Sequence, residues 1–442
     1  MYLFINRLKL MYKNIKSIII MCTICFVGIQ NIIYAQQPAM ISPVASVGID
    51  QCFEWAHDNY PLIRQLDYIE KSSEFNLSNA SKGYLPQISL NGQATYQSAV
   101  TQFPIELPNV NIPTISKEQF KIYGEMYQPL TNYRQIKDKK MEIQNMGEIE
   151  KQQVEIDLYK LKERINQLYF GVLLLEEKMV QLGIIRVDID SAIVKVRAGM
   201  QYGTATQTDL SLLMVEKISI NQQISENKAN KITYTHLLSA LTGKQMDENT
   251  KFIKPETETI PSTMNRPELR LFHLQSRSVE LQQKNIKNSL VPMVGLFLQG
   301  GYGRPALNFL SNDVEGYYIG GLKVNWNFST LYTYKNNLNL LDLAKDKIEA
   351  QKETFLLNTK LIETQQSNEI NTYKNLIKTD QEIIQIRNEV LTTAKEQLRN
   401  GLITTIDYVH ILHEMDKARQ TLASHQTQLW LAQHNLKFTT GN

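Results

Sequence analysis

The sequence predicts an internally duplicated α+β membrane protein: two β-hairpins of bilayer-crossing length per chain, four strands in all, joined to very long helices. Three observations predict it. One succession of motifs occurs twice along the 442 residues. Each copy holds two segments whose apolar residues alternate with period two. Between them lie long stretches without proline, in which apolar residues recur in a 4,3 rhythm.

The duplication is read first, because it orders everything else. Pro61 and Pro267 lie 206 residues apart, in Asn59-Tyr60-Pro61 and Asn265-Arg266-Pro267. Pro86 and Pro292, in Leu85-Pro86-Gln87-Ile88 and Val291-Pro292-Met293-Val294, keep that spacing of 206. Downstream the offset is 198: Gly203-x-x-Thr206-x-x-Asp209 maps onto Gly401-x-x-Thr404-x-x-Asp407, and His236-x-Leu238-x-x-x-Thr242-Gly243 onto His434-x-Leu436-x-x-x-Thr440-Gly441. Eight residues are therefore lost between Pro292 and Gly401. The expected place is the Pro- and Asn-rich stretch 101–119 against its shorter counterpart near 303–315, since loops absorb length changes cheaply. The expected organisation is a leader over 1–35, a first repeat over 45–243, a connecting segment over 244–264 and a second repeat over 265–442.

Within each repeat the elements follow in one order. A helix begins at Pro61, with Leu62, Leu66, Ile69 and Leu77 on one side. After Pro86, Ile88, Leu90, Gly92, Ala94 and Tyr96 alternate with Gln87, Ser89, Asn91, Gln93 and Thr95, and a second alternating run extends from Phe120 to Pro129. The second repeat alternates at Val294, Leu296 and Leu298, then at Tyr318, Gly320, Leu322, Val324, Trp326 and Phe328, with Lys323, Asn325 and Asn327 on the opposite face. Strands of about ten residues have the length that a tilted strand needs to cross a bilayer. Proline is then absent from Pro129 to Pro255 and from Ala306 to the end. Val154, Leu158, Leu161, Ile165, Leu168, Val172, Leu175, Met179 and Leu182 step 4,3 without a miss, and Ile189, Ile193 and Val196 continue the seam. A helix from about 131 to 197 would run roughly 100 Å at 1.5 Å per residue, followed by a return helix over about 207–241. The matching seam of the second repeat is Ile370, Tyr373, Ile377, Ile384, Leu391 and Leu398, with Asp380 and Arg387 in register.

Composition excludes several function classes. Apolar residues are 43% and charged residues 21%, which excludes a disordered chain, and Gly (20) and Pro (13) are too few for low-complexity material. Lys and Arg number 47 against 44 acids; Arg7, Lys9, Lys13 and Lys16 precede an apolar stretch over 18–27 with Ala35 after it, which reads as a secretory leader, a retained anchor being the alternative. Without that segment the body is near neutral and carries no electrostatic footprint for nucleic acid. Cys22 and Cys25 fall inside the leader, so Cys52 alone is left, with no disulfide and no thiolate metal cluster expected. No run of about 18 apolar residues follows the leader.

A sheet that spans a bilayer must close on itself, and four strands are too few when barrels need about eight. Several copies must pool their strands; three would give twelve, with the long helices forming a wall below. The duplicated order of Pro-started helix, Leu-Pro-x-Ile strand entry, Gly-x-x-Thr-x-x-Asp turn and closing Leu-Thr-Gly resembles the TolC-type outer-membrane efflux family over residues 45–442. The resemblance implies a homotrimer with a 12-stranded β-barrel in outer-membrane lipid and a periplasmic α-helical coiled-coil barrel. It also implies a periplasmic adaptor and an inner-membrane transporter as partners, no enzyme activity, no cofactor and no metal. The duct would serve a tripartite efflux pump or a type I protein secretion system. A structural coiled-coil protein of the envelope is the alternative from another class, and a secreted metal-dependent enzyme a third.

The site candidates are Thr208, Asp209, Asp407 and His410 for the periplasmic aperture, and Gly203, Thr206, Gly401 and Thr404 for the helix turns where an adaptor would dock. Asp209 and Asp407 admit two readings: a ring of carboxylates that attracts cations, or acids capping helix starts. By resemblance Thr208 and Asp209 match a pair that holds the tunnel shut, and Asp407 a constricting acid. This sequence departs from the family pattern at His410, where an acid is expected, and at Ile403, where a basic gate residue is expected, so charge selectivity is not carried over. His410 would make the constriction sensitive to pH. His410, His413 and Glu414 match neither zinc-helix spacing and are read as surface groups. Gly300-Gly301-Tyr302-Gly303 is read as a strand end or turn. Tyr96, Tyr123, Tyr127, Tyr302, Tyr317 and Tyr318 fit an interfacial girdle or ordinary strand positions.

Overall fold

The computed structural model describes residues 45–101, 114–256 and 263–442; the expected leader over 1–35 lies outside the described residues. Two short strands, β1 (Ser46–Val47) and β4 (Lys251–Phe252), pair in parallel. The helices are α1 (Ile49–Asn59), α2 (Arg64–Ser81), α3 (Tyr133–Tyr159), α4 (Leu161–Gln201), α5 (Gln207–Thr242), α6 (Pro267–Asn288), α7 (Thr330–Arg399) and α8 (Thr405–Thr440). Strands β2 (Gln87–Tyr96), β3 (Glu118–Pro129), β5 (Met293–Arg304) and β6 (Glu315–Asn325) form one antiparallel sheet in the order β2-β3-β5-β6.

The sheet carries the duplication in its register. Gln87 faces Tyr127 in the first hairpin and Met293 faces Asn325 in the second. The entering strands are thus offset by 206 and the returning strands by 198, so all eight lost residues fall on the hairpin connection, part of which (102–113) lies outside the described residues. Register also assigns the faces, because directly paired residues share one. Ile88, Leu90, Ile122, Met126, Leu296, Leu298, Leu322 and Val324 share a face, and all are exposed. Gln87, Ser89, Lys121, Glu125, Gln299 and Lys323 share the other. Gln299 donates to Glu125 at 2.9 Å across that polar face.

Tyr96, Tyr302 and Tyr318 lie on the apolar face, whereas Tyr123, Tyr127 and Tyr317 lie on the polar one, so the six candidates do not share one face. The strand alternation expected through Phe328 stops at Asn325. Trp326 instead turns back to donate its indole N–H to the Leu290 carbonyl at 3.0 Å and packs on Phe328. The Gly300–Gly303 run ends β5, and a side chain at Gly301 would collide with the β3 backbone at Ile122 and Tyr123.

Each long rod follows its seam. Val154, Leu158, Ile165, Val172, Leu182, Ile189, Ile193 and Val196 are all buried, as a 4,3 repeat on one helix face requires. The single helix expected over 131–197 is divided at Lys160, whose ψ of −20° is the shallow value of a 3₁₀ turn. It also runs on to Gln201, because the stop comes from the turn glycine that follows rather than from loss of apolar period. In the second repeat α7 is one uninterrupted helix of 70 residues. The helix expected from Pro61 begins as a 3₁₀ turn, Pro61–Ile63, before α2, while Pro267 sits in the first turn of α6, where its missing N–H costs nothing. Helix α1 lies within the first repeat, and its Ile49, Cys52, Phe53 and Ala56 share one face at helical spacing, with Ile49, Cys52 and Ala56 buried. It belongs to a small core in which Tyr169 is fully buried and directs its hydroxyl to the carbonyls of Val47 (3.0 Å) and Ile253 (2.7 Å), clamping β1 and β4 to α4.

Candidate functional site

Two helix turns lie side by side at the far end of the rods, and the two copies of Gly-x-x-Thr-x-x-Asp build them. In the first, Gly203 adopts φ +74°, a left-handed conformation that glycine takes without strain. Its N–H bonds to the Met200 carbonyl (3.3 Å) and the Thr204 N–H to the Gly199 carbonyl (2.9 Å), the paired bonds of a Schellman stop. In the second, Gly401 has φ +69°, with Gly401 N–H to Leu398 (3.2 Å) and Leu402 N–H to Gln397 (2.8 Å).

Three residues later each threonine starts the return helix. The Thr206 Oγ1 accepts from the Asp209 N–H at 3.2 Å, while an Asp209 carboxylate oxygen accepts from the Thr206 N–H at 2.9 Å and from its hydroxyl at 2.6 Å. Thr404 and Asp407 repeat this with distances of 3.1, 3.1 and 2.7 Å. Each pair is a capping box with aspartate as its acid. The hydrogen bonds from Thr206 and Thr404 hold both carboxyls below the ordinary aspartate range; His410 adds a smaller contribution at Asp407, and the Thr405 hydroxyl at Asp209. The two carboxylates are therefore ionised and already engaged.

Thr208 on the first turn of α5 and His410 on the second turn of α8 are both exposed. Ile403 packs against the core. That core joins four helices: Leu182, Ile189 and Val196 of α4, Leu210 and Leu213 of α5, Leu391 and Ala394 of α7, and Tyr408, Leu412 and Met415 of α8. A cleft of about 580 Å³ separates the two turns, with Lys195, Gly199, Tyr202, Arg399, Gly401 and Thr404 on its walls. His413 pairs with Glu216 of α5 at 3.1 Å and Glu414 with Arg387 of α7 at 2.7 Å, so these two leave His410 in different directions. Among the described residues no cluster of metal-ligating side chains is present.

Three tip residues escaped the motif reading. Tyr202 and Leu402, which adjoin the two glycines, and Ile406, in the first turn of α8, are 83%, 72% and 64% exposed. Their signal was available: an apolar residue adjoins the turn glycine in both repeats, where turn chemistry favours polar ones.

Neither a protein-family model nor a curated protein matches the sequence. Solved structures do. VceC, an outer membrane protein of Vibrio cholerae, superposes with a TM-score of 0.65 at 12% identity over 89% of this chain and 96% of VceC. The Campylobacter jejuni outer membrane channel CmeC gives a TM-score of 0.62 at 15% identity over 89% of this chain and 85% of CmeC. The open outer membrane channel MtrE of Neisseria gonorrhoeae gives 0.64 at 12% identity over 89% of each chain. The chain has the fold of these outer-membrane proteins. Within that outer-membrane channel fold, the four-stranded sheet and the paired turns lie at opposite ends of the α3–α4 rod and of α7.

Proposed function

We propose that the chain is one protomer of a trimeric outer-membrane channel, the exit duct of a tripartite efflux pump that passively conducts small molecules from the periplasm of a Gram-negative bacterium. The sheet carries this reading: it is apolar on one face, polar on the other, and unpaired at both edges, β2 and β6. In hydrocarbon such edges leave backbone N–H and C=O groups without partners, at several kcal/mol each. Three copies joined edge to edge make a 12-stranded barrel, apolar toward outer-membrane lipid and polar toward water. Residues 45–243 and 265–442 act as two structural repeats joined by 244–264. The likeness to outer membrane channels supports the same reading.

The duct reading extends to the tips. An adaptor protein linking the duct to an inner-membrane transporter docks on the turns at Gly203, Thr206, Gly401 and Thr404, and Thr208, Asp209, Asp407 and His410 border the aperture. The capping boxes support a supporting rather than a lining role for the two aspartates, whereas His410 is free to face the passage. A duct performs no bond chemistry and needs no cofactor. Membrane fractionation and planar-bilayer conductance test the reading. The expected result is a heat-modifiable trimer in the outer-membrane fraction that forms ion-conducting pores; a peripheral protein that passes no current would contradict it.

A further inference from the structure

The α7–α8 hairpin holds two apolar clusters with a charged layer between them. Near the tip, Leu391 and Ala394 of α7 meet Leu412 and Met415 of α8, with Ile384 at the upper margin. Farther up, Ile370 and Tyr373 meet Leu429, Ala432 and Leu436. Between them the seam position Asp380 is only 7% exposed, and the His425 Nδ1 lies 2.6 Å from its carboxylate. One heptad below, the seam position Arg387 bonds Glu414 at 2.7 Å. Asp416, on the same stretch of α8, accepts from Gln420 at 2.8 Å through one oxygen while its other oxygen is buried without a partner.

Apolar seam layers tolerate small shifts of one helix along another, because their attraction is non-directional. A buried hydrogen-bonded pair does not, since moving one partner leaves the polar atoms of the other unsatisfied in a poorly solvated place. Opening that starts at the tip can therefore pass upward through Leu391 and Ile384, and stops where it would separate Asp380 from His425. The half-satisfied Asp416 carboxylate adds a bias from below, for it gains water when the tip segment loosens. We infer that the buried Asp380–His425 pair, and not the more exposed Arg387–Glu414 pair below it, is a built-in stop. It makes residues 384–415 a separately opening unit and keeps the upper hairpin closed. The inference concerns motion within one hairpin and stands apart from whether the assembly conducts.

Native-state hydrogen exchange on the full detergent-solubilised chain tests it. Cooperative opening units show as steps in protection. Amides of 384–415 are expected to exchange at least about tenfold faster than those of 366–380 and 423–436, with the step at the Asp380–His425 layer. The double variant Asp380→Leu with His425→Leu keeps the seam filled and removes the pair; the step should vanish or move. Asp380→Asn, which retains a hydrogen-bond acceptor of the same shape, should keep the step but lower it. A smooth gradient across the layer in the wild-type chain would overturn the inference, as would a step that stays in place in the double variant.

Discussion

At each tip a threonine and an aspartate close the same set of hydrogen bonds, so the two turns should respond alike to substitution. Thr206→Ala and Thr404→Ala each remove a cap worth about 1 kcal/mol, and Gly203→Ala or Gly401→Ala forces a left-handed backbone at roughly 1–2 kcal/mol. Chemical denaturation of the purified protein should show both losses, with similar size in the two repeats. The lowered pKa of Asp209 and Asp407 sets a pH sign: the caps stabilise above the ordinary aspartate value of about 4 and lose that contribution as pH falls through the lower folded values. Melting temperature measured from pH 6 to pH 2 should fall less steeply in Asp209→Asn/Asp407→Asn than in the parent. Asp416 runs the other way. Burial holds its carboxyl above the usual range, so the closed tip weakens as pH rises through the interval between the ordinary and raised values. Asp416→Asn should raise melting temperature at pH 7 and leave it unchanged near pH 3. The cap was one of the two readings that the Thr-x-x-Asp spacing allowed, and the hydrogen bonds at both turns form it. The role of His425 could not be read from spacing, because a partner 45 residues away across a seam leaves no local trace.

Among the elements, strands and rods were legible for a simple reason: each has a period, two for the half-exposed sheet and alternating 4,3 for the seam. Contacts without a period left no such trace, as with the clamp at Tyr169 and the indole of Trp326, both fixed by partners distant in sequence. Period two also yields a paired test. Leu298 lies on the apolar face and its neighbour Gln299 on the polar one. Leu298→Arg should cost about 2–4 kcal/mol if its face meets the bilayer midplane, whereas Gln299→Arg should be tolerated. The yield of heat-modifiable assembly on unheated gels reports the difference, and equal yields would mean that the faces are assigned wrongly.

For the molecule as a whole, the telling feature is how much apolar surface one chain leaves uncovered. Exposed Val180, Val187 and Val194 on α4, Val215 and Ile218 on α5, and Leu340, Leu343, Leu357 and Leu361 on α7 line the rods outside their buried seams. Together with two open sheet edges they describe a part rather than a finished object, which a monomeric soluble protein seldom does. The incompleteness could be read from sequence by counting strands; the number of copies could not, because nothing within one chain states how far its sheet must curve. Cysteine pairs placed along β2 and β6, one on each edge, and cross-linked in intact outer membranes measure that number directly. The account predicts a ladder of linked chains that ends at three. A product that stays at one chain for every pair would contradict it.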